Sequence, residues 1–160
     1  MMTMQPIGTV FTEHKSLVNM PVQPVTGDRT TGKIVLDEKF SKGLESLDGF
    51  SHIYMIYLFH KSVGYDLTVT PFLDNKQHGL FATRAPRRPN PVGLSIVRLL
   101  SVHENVIEIE NPDLLDGTPL LDIKPYIEIF DHPQDVISGW MTASKKELSM
   151  KKADDRFIKP

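Results

Sequence analysis

The chain has 160 residues, 40% hydrophobic and 24% charged, with a formal charge of -2, which suits one compact domain with its own core. It has no cysteine, which excludes disulfides, thiolate catalysis and cysteine-ligated zinc or iron–sulfur centres. Its histidines, His14, His52, His60, His78, His103 and His132, show no metal-ligand spacing; no apolar run reaches bilayer length and Met1-Met2-Thr3-Met4-Gln5-Pro6 lacks a signal-peptide pattern, so a cytoplasmic protein without metal or membrane contact is expected.

In chain order, Ile7 to Thr12 and Gly32 to Leu36 read as strands, the second after the turn signal Thr26-Gly27-Asp28. Phe40 to Leu47 predicts one or two helical turns, ended at Asp48-Gly49. Ser51 to His60 is almost continuously apolar and aromatic, as expected of a central strand buried on both faces. Leu67 to Leu73, Leu94 to Val102, Val106 to Ile109 and Ile123 to Phe130 are further strand candidates at spacings typical of barrels and sandwiches. A mainly β fold is expected, a small closed β-barrel with short helices, over residues 4–133. Residues 134–160 read as a tail, partly helical or disordered, with a Lys-rich stretch from Lys145 to Lys152.

Two stretches carry the chemistry. The first runs Phe81-Ala82-Thr83-Arg84-Ala85-Pro86-Arg87-Arg88-Pro89-Asn90-Pro91-Val92-Gly93-Leu94-Ser95. Its prolines hold Ala85, Arg88 and Asn90 out of the helical region, so the arginines are presented in few conformations, as a binding loop requires. No Asp or Glu occurs from Asn75 to His103, so the local field is cationic although the chain is slightly acidic. In the second, the sign reverses: from Glu104 to Asp135 the acidic residues face Lys124 as the one Lys or Arg. At its centre lies Asp116-Gly117-Thr118-Pro119-Leu120-Leu121-Asp122-Ile123-Lys124-Pro125-Tyr126, whose first four residues alone would be an ordinary turn. No Gly-x-Gly-x-x-Gly fingerprint occurs, which disfavours a Rossmann nucleotide fold.

Together these stretches strongly resemble the TsaA-like methyltransferases of the TrmO type, in Phe-Ala-Thr-Arg, Arg-Pro-Asn-Pro followed by an aliphatic residue and Gly, Asp-Gly-Thr-Pro and Asp-Ile-Lys-Pro-Tyr. Ile7-Gly8, Gly43-Leu44-Glu45, Phe50-Ser51-His52 and Phe59-His60 add to the likeness, which runs from Ile7 to His132. The resemblance implies an S-adenosylmethionine-dependent enzyme on a small β-barrel that N6-methylates threonylcarbamoyladenosine beside the tRNA anticodon, at position 37. It also implies a homodimer with the cofactor near the interface. Longer bacterial members carry a further carboxy-terminal domain, so a different tRNA-binding surface is expected here; the Lys145, Lys146, Lys151 and Lys152 cluster reads first as a solvated, partly disordered tail and second as an electrostatic contact to tRNA.

Position by position, the resemblance implies cofactor contacts at Gln23, Pro24 and Val25, at Lys61 and Ser62, at Arg84 and Leu94, and at Asp113, Leu114 and Leu115. An Arg in a fixed loop offers a bidentate partner to the cofactor's α-carboxylate. Asp113, or carbonyls near Leu115, would face the sulfonium or the ribose hydroxyls, and Leu94 the adenine. The acceptor nitrogen belongs to a urea-like group with a delocalised lone pair and needs its proton removed. Asp122 and Tyr126, and after them His60, are the candidate bases, while Lys124 would neutralise a substrate carboxylate. Arg87, Arg88 and Asn90 are the expected tRNA contacts. Methylation of another acceptor, or cofactor binding without turnover, are the alternatives.

Overall fold

The computed structural model describes residues 3–20 and 29–158. Six antiparallel strands close a barrel in the order β1, β2, β7, β6, β3, β8, with β8 returning to β1. They are β1 (Gly8–Phe11), β2 (Thr31–Leu36), β3 (His52–Leu58), β6 (Val92–His103), β7 (Val106–Glu110) and β8 (Thr118–Pro125); two short strands, β4 (Thr68–Val69) and β5 (His78–Gly79), pair with each other outside it. Closure leaves no edge in the main sheet to recruit another strand.

Period-two alternation fills the barrel. Val10, Ile34, Ile53, Met55, Ile107, Ile109 and Leu120 point inward and are wholly buried, each burial contributing about 1.5–3 kcal/mol. The expectation that Ser51–His60 would be buried on both faces is corrected here. β3 has β6 and β8 at its sides, and only one of its faces is fully buried: half-buried His52, Tyr54, Ile56 and Leu58 alternate with buried Ile53, Met55 and Tyr57. Its apolar outward residues disguised a one-sided strand as a two-sided one.

Other boundaries also shift. The expected helix around Phe40 to Leu47 is two 3-10 helices, Glu38–Leu44 and Leu47–Gly49, whose Leu44 and Leu47 enter the core. The Leu67-to-Leu73 strand shrinks to β4. The strand expected from Ile123 starts at Thr118 and ends at Pro125; the proline has no N–H to extend the ladder, and a helical turn, α1 (Glu128–Asp131), follows. In the tail, α2 (Lys145–Met150) starts in a capping box between Ser144 and Glu147, which satisfies backbone donors at its first turn.

The antiparallel order brings three connections to one end of the barrel. β1, β3 and β7 run toward that end and β2, β6 and β8 leave it, so residues 12–20, 29–30, 59–91 and 111–117 cluster there. The opposite end is closed by the 3-10 helices and the β6–β7 hairpin.

Candidate active site

The three clustered connections enclose a cleft of about 850 Å³. Its floor is cut into the barrel mouth, where inward-facing positions change from aliphatic to polar. Tyr57 on β3 pairs with Gly93 on β6, and a Cβ at Gly93 would overlap the Tyr57 ring. Glycine there lets the ring lie across the mouth, edge to face with Phe59 at 5.4 Å.

A buried polar chain starts from that ring. Tyr57 Oη lies 3.0 Å from Ser95 Oγ, and Ser95 Oγ donates to Asp113 Oδ1 at 2.8 Å. Since the single Ser95 proton goes to the carboxylate, the Tyr57 hydroxyl donates to Ser95. Desolvation dominates at Asp113: it pushes the carboxyl up to about 6, against the hydrogen bond from Ser95 and the attraction of Arg84, which pull it down. Burial and the Asp113 charge push Tyr57 up as well, so it stays protonated. The cleft therefore holds a poorly solvated carboxylate at its floor.

The segment carrying Asp113 is held rigidly. Thr12 Oγ1 donates to Leu114 O at 2.8 Å, Thr12 N–H to Asp116 Oδ1 at 2.9 Å, and Lys15 pairs with Asp116 at 2.6 Å. Asn111 adopts φ 50° and Gly117 φ 78°, the left-handed geometry that turns the chain in and out of the mouth.

The cationic loop forms one wall. Thr83 ties it from within, donating through Oγ1 to Leu80 O and accepting from Ala85 N–H. Arg88 Nη1 donates to Thr83 O at 3.0 Å and Ala85 O at 3.2 Å, while its guanidinium lies over Phe81. Ser62 Oγ donates to Pro86 O at 3.1 Å. Arg84 stays exposed on the cleft side. His60 is on the rim, where burial and then Lys61 lower its pKa and favour the neutral ring.

Of the residues singled out from the sequence, Lys61, Ser62, Arg84, Leu94, Asp113, Leu114, Leu115 and Arg88 line this cleft. Gln23, Pro24 and Val25 lie outside the described residues; Leu17 and Met20, earlier in the same connection, line the cleft. Arg87, expected as a tRNA contact, lies outside the cleft lining. Its side chain is buried and its Nε donates to Asp66 Oδ2 at 2.9 Å, which makes it a brace of the 59–91 connection. Asn90 is exposed and outside the cleft lining.

Asp122, Lys124 and Tyr126 are not in the cleft of their own chain. β8 descends from the mouth at Thr118, so Tyr126 lies about 25 Å along the strand direction at the far end. Asp122 Oδ2 pairs with Lys124 at 2.8 Å, and Tyr126 packs on Tyr54 and His52. Register places Asp122 beside Ile56, and Ile56 beside Leu94, so these residues share the barrel's outer face with a residue of the cleft. The Tyr57–Ser95 pair escaped sequence reasoning; the signal available was a serine in phase with the buried residues of its strand.

Three comparisons bear on this site. Residues 9–132 match the tRNA-methyltransferase O N-terminal domain family. A probable S-adenosyl-L-methionine-binding protein of Pyrococcus abyssi is 41% identical over 158 residues, 99% of this chain and 86% of that one; the tRNA (adenine(37)-N6)-methyltransferase of Mus musculus is 32% identical over 139 residues, 82% of this chain and 32% of that one. The crystal structure of TrmO from Pseudomonas aeruginosa superposes with a TM-score of 0.74 at 33% identity, over 88% of this chain and 62% of that one.

Proposed function

The chain belongs to the tRNA-methyltransferase O N-terminal domain family, and on that footing we propose that it is an S-adenosylmethionine-dependent tRNA methyltransferase that modifies N6 of threonylcarbamoyladenosine at position 37. The observation that carries this reading is that a buried carboxylate, Asp113, and the Arg84 guanidinium whose charge acts on it line one largely apolar cleft. A ligand with a carboxylate, a cationic centre and a planar apolar ring system matches those groups one for one. Arg84 suits the α-carboxylate; Asp113, held by Ser95, suits the sulfonium or ribose hydroxyls; Leu94 and Leu115 suit the adenine, with Lys61 and Ser62 at the rim. When bound, the cofactor supplies a methyl group to in-line displacement, so the chain's task is alignment of the acceptor nitrogen and removal of its proton.

For that proton, Asp122 and Tyr126 have to come from a second copy of the chain. Leu94 and Ile96 are 51% and 40% exposed on the outer face of β6, and Ile129, Phe130 and Ile137 are more exposed still; a surface this apolar on a small domain calls for a partner. In a homodimer packed through β8, β3 and β6, Asp122, Lys124 and Tyr126 of one subunit approach the rim of the other's cleft. His60, neutral and on the rim of its own cleft, is the base available without a partner. Arg84, Arg88, Asn90 and the tail lysines from two subunits would give the tRNA phosphates a common cationic surface in the cytoplasm.

Transfer of labelled methyl from S-adenosylmethionine to tRNA, with and without the threonylcarbamoyl group, tests the reading: label confined to the modified pool is expected. Label in both pools would mean a different acceptor. Binding without transfer would favour a cofactor-binding protein, the second reading, which the placement of Asp122, Lys124 and Tyr126 outside the single-chain cleft supports.

A further inference from the structure

The family match ends at His132, yet the cleft does not. Trp140, Met141, Leu148 and Phe157, all from the tail, form its outer wall. The tail is tied across the cleft at both ends. Near its far end, Asn19 N–H donates to Ala153 O and Ala153 N–H to Met20 O, each at 2.8 Å. Arg156 Nη1 donates to Pro71 O at 2.8 Å with its guanidinium over Phe72, and Phe157 meets Phe72 edge to face at 5.1 Å.

Near its start the tie is Trp140. The indole stacks on His78 at 4.5 Å between centroids and 17° between planes, and His78 is fixed by Asp74 at 2.7 Å. The indole N–H donates to Ala82 O at 2.8 Å. Ala82 ends the 3-10 turn Leu80–Ala82, and Arg84 follows two residues later. The carbonyl it engages belongs to the turn that aims the cleft's arginine.

We infer that Trp140 is a positioning residue for the cofactor, acting through the Leu80–Ala82 turn to hold Arg84, and that the tail bearing it is the cleft's outer wall. The inference concerns this chain beyond the family domain and rests on the cofactor reading above. A side chain 58 residues away in sequence restrains the N-terminal end of a loop that Thr83 and Arg88 brace from within and Ser62 and Asp66 hold further along, at Pro86 and Arg87, so the loss falls on geometry before ligand contact. Such a loss weakens ground-state binding and leaves the chemical step largely intact once the site is filled.

Trp140 is the chain's single tryptophan, so its fluorescence reports on the tail directly. The full chain is titrated with S-adenosylmethionine by calorimetry and by tryptophan emission, and Trp140→Phe and Trp140→Ala are titrated by calorimetry. Amide exchange over residues 80–85 is measured in the ligand-free proteins. Expected are a saturable emission change with the calorimetric Kd and about tenfold weaker binding in Trp140→Phe, which keeps a ring on His78 but not the N–H. Trp140→Ala is expected to bind more weakly still, with faster exchange over 80–85. Unaltered affinity in both variants, or exchange over 80–85 unchanged in Trp140→Ala, overturns the inference. If the unaltered chain binds no S-adenosylmethionine, the cofactor reading fails, and the exchange measurement alone decides whether Trp140 positions the turn.

Discussion

Asp113→Asn should make the protein more stable and a worse binder at once. The carboxyl rises from the ordinary 3.8 to about 6 in the folded chain, chiefly by desolvation. Because the folded state then binds the extra proton between those values, stability falls as pH rises from about 4 to about 6 and stays low above. At about 1.4 kcal/mol per tenfold, that displacement amounts to about 3 kcal/mol, and about 2 kcal/mol is a safer expectation for a group that still faces the cleft. Asparagine is nearly isosteric, carries no charge and still accepts from Ser95. Urea denaturation at pH 7.5 should therefore find the variant more stable by about 1–2 kcal/mol, with the advantage vanishing near pH 4.

Binding should go the other way. A ligand that needs the ionised carboxylate loses affinity in proportion to its protonated fraction, so the apparent Kd for S-adenosylmethionine rises about tenfold from pH 7 to pH 5 in the unaltered chain. In Asp113→Asn the Kd should be higher by about tenfold to a hundredfold at pH 7, the scale of a lost charge-assisted hydrogen bond, and flat over that range. Calorimetry in several buffers at pH 5, 6, 7 and 8 measures both. A pH-independent Kd in the unaltered chain, or a variant that is destabilised at pH 7.5, would refute the assignment of a desolvated, ligand-facing carboxylate.

Gly93→Ala should cost about 3 kcal/mol or more, since its methyl overlaps the Tyr57 ring; Gly93→Ala with Tyr57→Leu should recover part of the lost denaturation midpoint. Arg87→Met should lower stability by about 1–2 kcal/mol through loss of the buried end of the Asp66 pair while leaving the salt dependence of tRNA binding unchanged; Arg84→Met should reduce cofactor affinity and, with its attraction gone, push the Asp113 carboxyl further up. Ile96→Lys, on the outer face of β6, should convert a dimer to a folded monomer by light scattering and abolish transfer while cofactor binding persists. Asp122→Asn should lower kcat by at least tenfold at unchanged cofactor Kd.

Much of the fold was legible because an antiparallel barrel leaves a period-two mark on its strands, and β2 and β7 carry it plainly. β3 misled because Tyr54, Ile56 and Leu58 put apolar groups on its outward face, where periodicity cannot separate a second layer from an unpaired surface. Half of the site was legible for a similar local reason: the proline-locked loop that carries Arg84 declares its rigidity in its own residues. Arg87 and Arg88 look alike in sequence, and their partners, Asp66 and the carbonyls of residues 80–85, separate a buried brace from a rim residue.

The sequence by itself determined the barrel class, the cationic loop and the family motifs, since backbone restriction, alternation and residue chemistry are local properties. Tertiary structure alone decided that Tyr57, Ser95 and Asp113 form one buried chain, because hydrogen bonds between residues 18 and 38 positions apart exist only once strands are in register. It alone separated Asp113 from Asp122, carboxylates nine positions apart, by turning one into the barrel mouth and running the other down the outer wall. It alone brought Trp140 to the cleft, because how a tail lies over a barrel depends on surfaces that do not exist until the barrel has closed.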